Sequence, residues 1–408
     1  MKDKRHMLFL VLFMTVTVVT CIDPFSPDLA DFESLLVVDA LVTDENASYV
    51  VKLSRTVKRT DEKPEKVIGA RVEIKDDQGN LTVLRESSPG EYRTDSTEFR
   101  GVPGRSYILN IITPEGEEYF SEPCLMYAVP EIDTLYFIND DEITSTGSET
   151  LSGIRFYIDS QGESATPYFR WTYEEWWKFH VPNPKKYDYI NDSTFTPLLK
   201  INETCWSYNK SDEIIIDSRI TSAQDAFKHK AITFIPTDRS NRFLVRHCIL
   251  VKQLSLSADE YEFWNQMKQI NETGGDIFDK QPFPVSGNIK NKNNPSEQVL
   301  GYFQVSGVQQ KRIYVTPGTI SDMGLPVYRY DCERIEMGEI DYPPPLTPAA
   351  KVTFDKIYRW YTTSGYDFIE PSYDMRGIVI RLVFVPVMCS DCTLSGSLVK
   401  PGFWTDQE

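Results

Sequence analysis

The chain has 408 residues, 12% of them aromatic, and a formal net charge of −17 at pH 7. That length suggests two domains with ample chain for a core, and the aromatic content excludes a disordered tail. So acidic a surface repels phosphates, which argues against nucleic acid as a partner.

Residues 1–20 begin with the basic segment Met1-Lys-Asp-Lys-Arg-His6 and continue in an apolar run to Thr20. The run is too short to span a bilayer as a mature helix and reads as a secretory signal peptide. Val18-Val-Thr-Cys21 resembles a bacterial lipobox, so Cys21 is expected to become the acylated first residue and to anchor the protein in a membrane. Residues 21–34, with two prolines and several acids, read as a lipidated tether.

From Leu35 the pattern changes to short β-type runs separated by turns. Leu35–Thr43, Tyr49–Ser54, Ala70–Lys75, Leu81–Leu84, Gly90–Arg93 and Tyr107–Ile112 are the expected strands, with turn residues at Asp76–Asn80 and Thr113–Gly116. This spacing predicts an immunoglobulin- or transthyretin-like β-sandwich over residues 35–130.

Residues 131–408 are expected to form a larger β-rich domain with a few helices. Asn139-Asp-Asp-Glu142 has the clustered oxygens a calcium ion could use, although a solvated acidic loop is the preferred reading. In Tyr168–His180 the odd positions are aromatic apart from Glu175, and the even ones are mostly polar. That two-residue period marks a strand with its aromatic face inward and leaves Trp176, on the polar face, as the candidate ligand contact.

One helix is clear near 257–272. It starts at Ser257 and Glu260 in capping-box spacing and stops at Gly274-Gly275. Beyond it, strands are expected at Val299–Ser306, Lys311–Val315 and Ile378–Val385, with a stiff connector at Tyr342–Pro348.

Catalytic constellations are scarce. His180, His229 and His247 are the histidines left after the leader, and no two have the helical spacing of a metal pair. The chain carries no nucleophile elbow, phosphate-cradling loop or dinucleotide fingerprint. Glu174 and Glu175 are neighbours on one strand and point to opposite faces. The protein is therefore expected not to be an enzyme, and no cofactor or metal is expected.

Cys124, Cys205, Cys248, Cys332, Cys389 and Cys392 are an even set in an exported chain, which suits disulfides. The closing Cys389-Ser-Asp-Cys392 reads first as a structural staple. Zinc would want a second half-site and a redox centre would want a helix N-terminus. The sequence does not choose the pairing; a bond to a distant cysteine such as Cys332 would close a long loop.

Taken together, several stretches resemble a family of Bacteroidota outer-membrane lipoproteins classed as a domain of unknown function. They are the lipobox cysteine with its acidic, proline-containing follow-on, Leu36–Thr43, Val72-Glu-Ile74, Gly104–Tyr107, Gln253–Ser257 with Tyr261 and Trp264, Gly287-Asn-Ile289, Leu300–Phe303, and the closing Cys-x-x-Cys-Thr…Pro-x-Phe-Trp. The resemblance implies an envelope lipoprotein encoded beside a TonB-dependent outer-membrane receptor; it supplies no catalytic residues. The expectation is a non-enzymatic outer-membrane lipoprotein, on the cell surface rather than the periplasmic face, acting as an accessory or ligand-capturing subunit of a TonB-dependent transporter. The alternatives are an envelope assembly or scaffold lipoprotein and, further off, a carbohydrate-active hydrolase with two carboxylates facing across a groove.

Overall fold

Alternating short runs become strands throughout, and the protein is mainly β. The computed structural model describes residues 34–58, 63–97, 99–144, 146–191, 194–220, 226–273, 285–338 and 353–405. The signal segment, Cys21, the tether up to Glu33, the Gly274-Gly275 stop and the proline-rich connector lie outside these residues.

The first body uses β1 (Leu36–Thr43), β2 (Val50–Arg55), β3 (Glu65–Lys66), β4 (Arg71–Asp76), β5 (Leu81–Val83), β6 (Arg85–Ser88), β7 (Glu91–Arg93), β8 (Ser106–Ile112), β9 (Glu118–Ser121) and β10 (Cys124–Leu125). They form two sheets, β1-β2-β7-β6 with β3 beside β2, and β9-β8-β4-β5 with β10 beside β8. Leu36, Val38, Ala40 and Val42 alternate inward from β1 into one cluster with Val72, Ile74, Leu109 and Ile111. The arrangement is consistent with the expected sandwich.

Residues 35–130 do not complete it alone. Two strands from far along the chain join its sheets: Ile289–Asn291 (β20) pairs antiparallel with β9, and Leu300–Ser306 (β21) pairs parallel with β1. The close approach requires glycine at Gly301, where φ is +86° and a Cβ would lie 1.9 Å from the Val38 carbonyl oxygen. Gly287 in turn sits against the Gly301 carbonyl. Between them Asn288 acts as a surrogate strand: its Oδ1 accepts from Phe303 N at 2.9 Å and its Nδ2 donates to Phe303 O at 2.9 Å.

The second body packs the sheet β11 (Ile132–Ile143), β12 (Thr150–Gln161) and β18 (Ala226–Pro236) against a central sheet. The central order is β16 (Thr204–Lys210), β13 (Tyr168–His180), β19 (Arg246–Leu256), β22 (Val308–Val315), with β17 (Ile215–Ser218) also on β13. Ile154, Phe156 and Ile158 of β12 meet Phe169, Trp171 and Tyr173 of β13 in its core. Only Gly307 separates β21 in the first body from β22 in the second. A Cβ there would lie 2.4 Å from the Tyr127 carbonyl oxygen, so the crossing also depends on glycine.

The third element group is the sheet β23 (Ile335–Met337), β25 (Val379–Pro386), β24 (Tyr366–Tyr373), covered by the hairpin of β14 (Tyr187–Asn191) and β15 (Thr194–Pro197). The expected helix is α1 (Ala258–Thr273). Two more, α2 (Pro317–Asp322) and α3 (Phe354–Thr363), start on Thr316 and Thr353, whose side chains accept the backbone N–H of Thr319 and Lys356.

Asn139–Glu142 proves to be strand rather than loop. On β11, Asp140 and Glu142 both reach Arg155 of the paired β12, at 2.5 and 2.8 Å. A guanidinium therefore occupies the position that the calcium reading gave to a metal.

Candidate ligand cleft

β13 decides what faces the surface. Its odd side chains Phe169, Trp171, Tyr173, Trp177 and Phe179 are buried, so the even ones must point the other way. Arg170, Thr172 and Glu174 line a cleft of about 550 Å³. Asp39 of β1 and Gln304 of β21 supply the wall from the first body, Lys252 of β19 continues the central sheet, and Trp264 and Met267 of α1 close one side.

The walls are tied together across the two bodies. Lys252 Nζ bonds both carboxylate oxygens of Glu45 at 3.1 Å, Asp44 Oδ1 accepts from Val308 N at 2.8 Å, and Ser255 Oγ donates to Tyr127 O at 2.7 Å. These bonds and the β21–Gly307–β22 crossing hold the cleft preformed.

Arg170 is its most constrained group. The guanidinium carbon lies 3.5 Å from the Trp264 ring centroid, and Nη1 donates to Gln304 Oε1 at 3.1 Å. Behind it Glu260 is 3% exposed, and its Oε1 has no partner among the described residues. Arg170 Nε is likewise a buried donor without one. Burial pushes the Glu260 carboxyl up to about 8 against the pull of Arg170, and burial brings Arg170 down to about 10.

Asp39, Glu45, Glu174 and Asp212 interleave with Arg170, Lys210 and Lys252 around the cleft. Such a lining suits a polar ligand that offers both donors and acceptors, not an apolar one.

Sequence reasoning missed Arg170, Glu260 and Gln304. The signal for Arg170 was its even position on β13. Glu260 was concealed by its capping-box spacing: its backbone N–H bonds Ser257 Oγ at 3.1 Å, and its carboxylate interacts in return with the Ser257 backbone N–H.

The residues singled out from sequence fall elsewhere. Trp176 is half-buried on β13, with its ring 4.7 Å from Phe403 and 5.2 Å from Tyr208, and the Arg312 guanidinium 5.2 Å above it. The C-terminal segment thus packs on that ring. The histidines are not brought together: His180 Nδ1 meets Thr204 Oγ1 at 2.8 Å, and the His229 ring stacks on Tyr157 at 3.9 Å.

His247 is fully buried, with Nε2 2.8 Å from Glu175 Oε2. Glu175 also accepts from Arg242 and from Asn209 Nδ2. Although burial opposes it, these donors bring its carboxyl down to about 2, while burial lowers His247. A neutral ring donating through Nε2–H fits the partnerless Nδ1, which then carries no proton to satisfy. This network ties β13 to β19 and does not line the cleft.

The cysteines resolve into two bridges, Cys205–Cys392 and Cys332–Cys389. The two members of Cys389-Ser-Asp-Cys392 therefore bond outward to different partners. Their spacer fixes the turn: Ser390 Oγ donates to Asp367 Oδ2 at 2.9 Å, and Asp391 Oδ1 accepts from Thr393 N at 2.8 Å. Cys124 and Cys248, expected among the disulfide candidates, are free thiols. They sit on different sheets, Cys124 taking a bond from Asn288 Nδ2 and Cys248 from Arg312 Nη1. Burial pushes the Cys124 thiol up to about 12, which makes it a poor nucleophile. Cys21 lies outside the described residues.

Residues 22–312 match the family described as Domain of unknown function (DUF4249). No curated protein and no solved structure matches the chain.

Proposed function

We propose that this chain, which belongs to the DUF4249 family, is a lipid-anchored outer-membrane accessory protein that captures a polar ligand for a TonB-dependent transporter without chemically altering it. The observation that carries the reading is the preformed mixed-charge cleft between two rigidly linked bodies. Arg170, which lines it, keeps a buried Nε with no hydrogen-bond partner among the described residues. A ligand acceptor that reaches it recovers part of a cost of about 1–3 kcal/mol. The lipobox-like Val18–Cys21 supports the anchoring, and the family resemblance supports the transporter.

Native co-purification tests it. Wild-type protein extracted from outer membranes is expected to carry a β-barrel receptor, and Cys21→Ala protein is expected to leave the membrane fraction. A membrane-extracted chain that never accompanies a barrel defeats the reading.

A scaffold role has one specific observation in its favour. Trp360 of the amphipathic α3 is 69% exposed. A large aromatic presented to solvent by a helix whose other face is packed is a common anchor of protein interfaces. Trp360→Ser separates the two: a scaffold loses its envelope partners, whereas ligand capture in the cleft is unaffected.

A further inference from the structure

We infer that the ligand of the cleft is a zwitterion, a free amino acid or short peptide, whose carboxylate docks on Arg170 and whose ammonium group docks on Asp39. The inference rests on the ligand-capture reading and names the chemistry that the same site recognises.

Part of the charge in the cleft is neutralised from within the fold. Lys252 is tied to Glu45 at 3.1 Å, and Glu174 accepts from the Tyr208 hydroxyl at 3.3 Å. Arg170, Lys210, Asp39 and Asp212 remain, and none of the four forms an ion pair among the described residues. Two positive and two negative groups thus face one space, so a ligand of a single charge sign meets repulsion beside attraction. A ligand that carries both signs has a partner for each.

The two anchoring groups are set by the fold. Arg170 is held by the Trp264 ring and by Gln304, while its Nε stays buried without a hydrogen-bond partner. Glu260 behind it does not cancel the charge at neutral pH, because burial pushes that carboxyl up to about 8 and keeps it protonated. Asp39 points outward from β1 between the buried Val38 and Ala40, near enough for its charge to act on the guanidinium although no ion pair joins them. A planar guanidinium matches the two oxygens of a carboxylate. The acids around it disfavour a phosphate, which brings more negative charge. Leu41, Leu254 and Met267 add apolar wall for a ligand side chain.

The test is equilibrium dialysis of the full chain in detergent, read by mass spectrometry. The probes are a mixture of the free amino acids, a mixed-sequence tripeptide library, the same library amidated at the C-terminus, the same library N-acetylated, and sodium glucuronate. Retention of amino acids or unmodified tripeptides is expected, reduced about tenfold or more by amidation and by Arg170→Gln, and likewise by acetylation and by Asp39→Asn. Free amino acids retained alone identify a single residue as the ligand, and tripeptides retained alone identify a peptide. The inference is overturned if blocking either end leaves retention unchanged, if glucuronate is retained as strongly, or if no probe is retained. Glucuronate or blocked peptides held in an Arg170-dependent way defeat the zwitterion alone and leave the capture reading standing. Amidation needs no substitution, so it decides the carboxylate even should Arg170→Gln fail to fold.

Discussion

Glu260 shows how one buried side chain can set a pH response. Its carboxyl titrates near 8 in the fold and near 4.5 in the unfolded chain. Between those values the folded state holds a proton that the unfolded state has lost, so stability is fullest below pH 4.5 and declines as pH rises toward 8. Glu260→Gln abolishes that decline. Denaturant unfolding at pH 5 and pH 8 is expected to show wild type losing on the order of a few kcal/mol more than the variant between the two values; parallel curves would remove the buried, protonated carboxyl. Asn288 makes a complementary case. Asn288→Ala removes the Asn288 bond from the N–H of the fully buried Phe303 and leaves its carbonyl only the Cys124 thiol, and is expected to cost about 1–3 kcal/mol in urea unfolding. A loss near zero would show that β21 holds to β1 without it.

At the scale of elements, the strands were the most legible part. Turn residues at Asp76–Asn80 and the two-residue period of Tyr168–His180 placed β4, β5 and β13 because both signals are local. The long-range pairings were not legible. Nothing near Leu300 says that it lies parallel to Val37, although Gly287, Asn288 and Gly301 stood out as family markers and now have a physical role in seating β20 and β21. Gly301→Val should therefore unfold the first body by about 2 kcal/mol or more, read as a lowered melting temperature. Helix α3 went unrecognised although Phe354, Ile357, Tyr358 and Tyr361 follow helical spacing, because the stretch is short and follows prolines. The closing Cys-x-x-Cys was legible as a staple, but its partners lie 187 and 57 residues away and depend on the tertiary fold. Peptide mapping without reduction is expected to yield Cys205–Cys392 and Cys332–Cys389, with Cys124 and Cys248 alkylated only after unfolding. Cys392→Ser should cost about 2–5 kcal/mol. A Cys389–Cys392 link would overturn this connectivity.

At the scale of the whole molecule, the cleft exists because a late segment of the chain returns to the first sandwich. The crossing at Gly307 then makes two bodies share one continuous strand path, and Lys252–Glu45 locks the facing walls. Charge composition reported the acidic surface as a whole and concealed the bases Arg170, Lys210 and Lys252 gathered among acids at the cleft, because a sum carries no positions. The function reading rests on that preformed cleft and on the anchor expected at Cys21. Affinity isolation of the anchored chain from native outer membranes, with wild type and Arg170→Ala compared side by side, tests it most directly. The account predicts that a TonB-dependent β-barrel co-elutes with both, and that a polar small molecule is retained by wild type and lost from Arg170→Ala. A chain that elutes alone, or one whose bound molecules are the same with and without Arg170, would contradict it.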